Sequence, residues 1–228
     1  MRASVPMLLA AMVALPVLAN DEKDDAREKL QKAEAVLRSS LDAPDKGIPQ
    51  DLLDKAECVG VFPDVTKGAF IVGGQGGKGV FTCRDSSGKM GAPAFYTIGG
   101  GSVGWQFGGQ QTDLILLVMN KDGMKHLLDD KFTLGGEASA TAGPVGRTGK
   151  AATDAELKAG ILSWSRSQGA FLGAALDGSV VKPDKSRNED VYGKSVSAKA
   201  ILLDHSVQPT ADAMPYLSTL NSRSTDRG

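Results

Sequence analysis

The run GVFPDVTKGAFIVGGQGGKGVF, from Gly60 to Phe81, decides the fold. Val59, Val61 and Phe62, then Phe70, Ile71 and Val72, have the β-branched and aromatic make-up of strands. Gly73, Gly74, Gly76, Gly77 and Gly79 remove side chains where a backbone must turn or approach another closely. The run therefore predicts a β-hairpin with its turn in the glycines, continued by the second arm VFTCR.

Glycine-rich loops also cradle phosphates at helix N-termini, so two enzyme readings need testing. Gly74, Gly76 and Gly79 satisfy a G-x-G-x-x-G spacing after an apolar strand, but a second strand follows where a dinucleotide site needs a helix. A P-loop built on Lys78 would need glycine six residues earlier and a hydroxyl residue next. Val72 and Gly79 stand there instead.

Outward toward the N-terminus, Cys58 and Cys83 bracket the hairpin and are the only cysteines. Neither lies in a C-x-x-C unit or beside a histidine, so a disulfide is the expected state in an exported chain. Export is suggested by Met1 and Arg2 ahead of the apolar segment Met7–Leu18, with Val17-Leu18-Ala19 offering a signal-peptidase site before Asn20. The apolar run is too short, and too interrupted by Pro6 and Pro16, for a membrane span. The expected division is a signal peptide over 1–19, one domain over 20–221 and a disordered tail over 222–228.

Ala26, Leu30, Ala33, Leu37 and Leu41 recur at three- and four-residue spacing and predict a helix over Asp21–Leu41 with one apolar face. That face lacks Trp and Phe, and its polar side mixes acids with bases, so docking on the domain is expected rather than membrane insertion. A second helix is expected over Pro49–Ala56, with proline in the first turn.

Toward the C-terminus, Ala92–Ile98 and Ser102–Phe107 read as strands separated by Gly99, Gly100 and Gly101, the second with Val103, Trp105 and Phe107 on one buried face. Asp113–Met119 reads as a central strand buried on both faces, followed by a short helix carrying Met124, Leu127 and Leu128. His126, Asp129 and Asp130 lie close in sequence but offer no convincing third metal ligand. Small-residue strands follow over Gly135–Thr141, Leu157–Arg166 and Ala170–Leu176, favouring a tightly curving sheet. KPDKSRNEDVYGK, from Lys182, reads as a solvated loop or short helix, and the segments from Ala200 and over Ala211–Leu220 cover the sheet. The expected class is α+β, dominated by a curved antiparallel sheet tending to a barrel, with an N-terminal helix and short packing helices.

With 41% hydrophobic residues in 228, the chain can bury an adequate core. Its formal net charge of −1 gives no global attraction to nucleic acid, and no basic stripe suggests one as partner. An anionic ligand must be drawn by a local patch. No nucleophile, base and acid set emerges, so no enzyme and no cofactor are expected.

Four blocks carry a family resemblance: FPDVTKGAFIVGGQGGKG from Phe62, GGGSVGWQFGGQQTDLILLVMN from Gly99, KFTLGGEASATAGPVGR from Lys131 and SRSQGAFLGAALDGSVVKPD from Ser165. In that order they resemble the SYLF domain. The resemblance implies a non-enzymatic binder of membrane phospholipid, of phosphoinositide type, here periplasmic or secreted, with a protein-interaction module of the envelope as the alternative. Lys67, Lys78, Arg84, Arg147 and Lys150 are the candidate head-group ligands, because the segment around the hairpin is locally basic in an acidic chain.

Overall fold

The computed structural model describes residues 18–43, 47–69, 73–102, 110–136, 138–145, 160–167, 170–174 and 176–222. Its elements run α1 (Leu18–Leu41), α2 (Gln50–Lys55), β1 (Cys58–Ala69), β2 (Gly73–Cys83), β3 (Ala94–Ser102), β4 (Gln110–Val118) and α3 (Lys121–Leu127). Then come β5 (Phe132–Thr133), β6 (Ala140–Ala142), β7 (Ile161–Ser167), β8 (Ala170–Gly173) and β9 (Val180–Pro183). The chain closes with α4 (Lys185–Tyr192), α5 (Ala198–Leu202), a 3-10 turn (Ala211–Ala213) and α6 (Met214–Asn221).

The strands form one curled half-barrel sheet in the order β5-β9-β3-β2-β1-β4-β7-β6, with β8 also paired to β7. Its pairings are antiparallel except β6 with β7, so the α+β, strand-rich expectation holds. Side chains that alternate along a strand feed two cores. On β4, Ile115 and Leu117 join the core roofed by α1, α2 and α6, while Leu114, Leu116 and Val118 join the one closed by α3 and α5. Both faces are thus buried, as the unbroken LILLV run requires. α1 docks through Ala26, Leu30, Ala33, Val36 and Leu37, all buried in the first core.

Curvature begins at Pro63 and Asp64. There β1 slips register against both neighbours, and Asp64 takes a left-handed φ of 55°. Across β2 from this bulge, a Cβ on Gly79 would stand 2.3 Å from the Val61 carbonyl oxygen and 2.5 Å from the Phe62 ring. Glycine is required there by close approach.

That finding corrects the expected hairpin. The glycines from Gly73 to Gly79 are strand, paired residue by residue with Ser102 through Tyr96 of β3, and are not the turn. β3 likewise runs through Gly99, Gly100 and Gly101 instead of stopping at them. The expected strand residues Phe70–Val72, Val103–Phe107 including Trp105, and Leu157 lie outside the described residues. Gly135–Thr141 is not one strand, because Gly135 turns at φ 77° and only Ala140–Ala142 pair with β7. The charged run after Val181 holds part of β9 and all of α4, in which Arg187 and Asn188 are buried and not solvated.

Asn188 shows why α4 is fixed. Its side-chain Oδ1 accepts from the Phe95 backbone N–H at 2.8 Å and its Nδ2 donates to the Phe95 carbonyl at 3.1 Å. A buried backbone pair at the start of β3 is thereby satisfied. In α6, by contrast, the buried Tyr216 hydroxyl has no partner among the described residues, and burial pushes its pKa up. Tyr216→Phe removes an unsatisfied polar atom and should stabilise the fold by about 1 kcal/mol. A denaturation midpoint lowered by this change would show that the hydroxyl has a partner.

Candidate functional site

Register places the site. Lys78 of β2, Thr97 of β3 and Lys182 of β9 are direct lateral partners across three adjacent strands, and so share one face of the sheet. Beside them, in the next row, Gly76 and Gly99 present no side chain and Val180 presents a small apolar one. Lys131, immediately before β5, completes the rim of a groove of about 700 Å³ lined by Lys78, Lys131, Lys182 and Thr97, with Gly77, Gly99 and Gly100 and the apolar Ile98 and Val180. The Thr97 hydroxyl is buried with no hydrogen-bond partner among the described residues. Three ammonium groups around an unspent hydroxyl and an open backbone floor suit an anion with several oxygen acceptors.

One wall of the groove meets α1. Lys78 Nζ lies 3.6 Å from Asp25 Oδ2, an oxygen that also accepts a hydrogen bond from the Arg187 guanidinium. Lys29 lies in the same recess as Asp25, Lys78 and Arg187. Its pKa is lowered, chiefly by burial and further by Lys32, against the pull of Asp64, Asp25 and Glu28. Lys32 binds Asp64 at 2.9 Å, tying α1 to the bulge, and its pKa is raised by that contact first and by Glu28 next.

The sign for Lys29 follows from linkage. A lysine titrating lower when folded weakens the fold while protonated, and the penalty fades as pH rises through the folded pKa. Lys29→Met is therefore expected to raise the thermal midpoint at neutral pH, with a smaller gain in alkaline buffer. A gain that grew with pH would contradict this.

Of the cations singled out from sequence, Lys78 is in the groove. Arg84 is not: it lies six residues on, just past the end of β2, about 20 Å away at strand rise. Its guanidinium donates to the carbonyls of Ala56, Gly88 and Leu53, stitching the end of α2 to the β2–β3 turn. For Lys67 the structure describes the backbone alone, opposite Gln75 and Gln110. Arg147 and Lys150 lie outside the described residues. Lys131 and Lys182 were missed. The β-branched pair Val180-Val181, between the Asp177-Gly178 turn and Pro183, was the available signal for β9. At the His126 cluster, Asp130 is bound by Lys185 at 2.7 Å and Asp129 lies 3.8 Å from His126.

The Cys58–Cys83 disulfide is formed, between residues paired in register on β1 and β2 and buried in the second core.

Comparison with known proteins gives a consistent relationship. The family described as "Ysc84: Las17-binding protein actin regulator" matches residues 99–223. LAS seventeen-binding protein 3 of Saccharomyces cerevisiae is 31% identical over 182 residues, covering 78% of this chain and 39% of the yeast protein. Protein YSC84 of the same yeast is 30% identical over 206 residues, covering 86% of this chain and 43% of its own. SH3 domain-containing YSC84-like protein 1 of Rattus norvegicus is 30% identical over 210 residues, covering 89% and 61%. The chain thus spans under two thirds of the length of each of these relatives. The matched region begins within β3 and takes in β9, α4 and α6, so it includes Lys131 and Lys182 of the groove. The chain belongs to the Ysc84 family, whose domain is the SYLF domain that its sequence blocks resemble.

Proposed function

We propose that this chain binds the phosphate groups of anionic membrane lipids, of phosphoinositide type, without catalysing a reaction, in the bacterial envelope or after secretion. The observation that supports it is the lateral row Lys78, Thr97, Lys182, with Lys131 beside it, over a glycine floor. Such a floor lets a head group approach backbone, and the ammonium groups supply charge that the chain as a whole lacks. Among the described residues no helix is long and apolar enough to cross a membrane. The disulfide accords with an oxidising compartment, and the leader-like residues 1–19 accord with export.

A second reading has its own support. The family description and the yeast relative's name specify Las17 binding, so a protein partner is the alternative use of this surface. Co-sedimentation with vesicles of phosphatidylcholine, with and without an acidic lipid, separates the two. Binding confined to the acidic vesicles and falling steadily with added salt is the expected result, because salt shortens the range of surface charge. Indifference to lipid charge would remove the lipid reading and leave the protein one.

A further inference from the structure

Lys78 serves two neighbours. It lines the groove, and its ammonium also faces Asp25 on α1 at 3.6 Å. Asp25 is held unequally by its two cations. Arg187, with a side chain only 7% exposed, grips it closely from α4, whereas the Lys78 side chain is 51% exposed. An anion entering the groove can therefore draw Lys78 away while Asp25 keeps Arg187, so α1 stays docked through that pair and its buried apolar face.

We infer that Asp25 is an affinity-determining residue of the groove, a built-in carboxylate that competes with the ligand for Lys78. The inference rests on the anion-binding reading above. It extends that reading to a residue on another element, more than fifty positions away in sequence, that need not touch the ligand. Competition for one cation is reciprocal: whatever the ligand loses to Asp25, Asp25 loses to the ligand. Arg187 does not enter the competition, because its side chain is buried and does not line the groove.

The test is Asp25→Asn, which keeps a side-chain oxygen able to accept from Arg187 and removes only the charge. Binding is measured on vesicles of phosphatidylcholine and phosphatidylglycerol in equal parts, for wild type, D25N, K78Q and the double variant, each checked for fold by circular dichroism and thermal unfolding. D25N should bind about fivefold more tightly than wild type, the value of one charge at an anionic surface. In the K78Q background the same change should give a clearly smaller gain, since the contested cation is gone. Weak wild-type binding that D25N turns into firm binding supports the inference equally. If wild type binds and D25N binds no better, or if the gain survives intact in K78Q, the inference falls while the groove reading stands. If neither wild type nor D25N binds these vesicles, both fall.

Discussion

Replacing Lys78, Lys131 and Lys182 together by glutamate is expected to abolish binding to acidic vesicles. Each lysine near an anionic surface contributes about 1 kcal/mol, and reversal substitutes repulsion for attraction, so the change approaches about 6 kcal/mol, or more than about 10⁴-fold, at low salt. Salt should narrow the difference, because screening weakens attraction and repulsion alike. The three side chains lie at the rim of an open groove and none is part of the hydrophobic cores, so the variant should fold. Reversal of Lys55, Lys121 and Lys199, exposed residues outside the groove, alters net charge equally and serves as the control. Vesicle sedimentation should show a much smaller loss for the control. Equal losses would mean that net charge and not the groove governs attachment, and no loss in either would turn attention to a protein partner.

Removing the disulfide should be the most damaging change to stability. Cys58 and Cys83 are 25 positions apart in sequence, and a loop of that length restricts the unfolded chain by about 3.5 kcal/mol in the chain-entropy account. Both residues are buried where β1 and β2 pair, so alanine replacements also forfeit packing in the second core. The double alanine variant should therefore lose at least that amount in denaturant unfolding, a large part of a typical domain's stability. Adding reductant to unfolded wild type before refolding should reproduce most of the loss. A double variant as stable as wild type would show that the crosslink constrains nothing the strands do not already fix.

Much of the fold was legible because it rests on local pattern. The Ala and Leu spacing of α1, the unbroken apolar run of β4 and the cysteines at the ends of the hairpin each carry their reading within a few residues. The glycines of β2 were misplaced because turn formation and close strand approach both ask for a missing Cβ, and only the packing of Val61 and Phe62 tells them apart. The site was harder. Lys78, Thr97 and Lys182 meet through register between strands that lie up to about a hundred residues apart in sequence, which no periodicity encodes. Lys182 was hidden further because β9 is short, ends in proline and merges with a charged helix. Arg84 looked like Lys78 in sequence, since a lone cation beside a turn does not reveal that its donors go to backbone carbonyls.

The Asn188 side chain, paired with both backbone groups of Phe95, has a meaning for solubility. β9 leaves β3 at Pro183, and beyond that point β3 would otherwise offer a bare donor and acceptor to any extended peptide. The amide occupies them as one rung of a counterfeit strand, and Asp184 adds its own N–H to the same carbonyl. A helix thus seals the margin of the sheet against strand addition from another chain, the route by which open sheets aggregate.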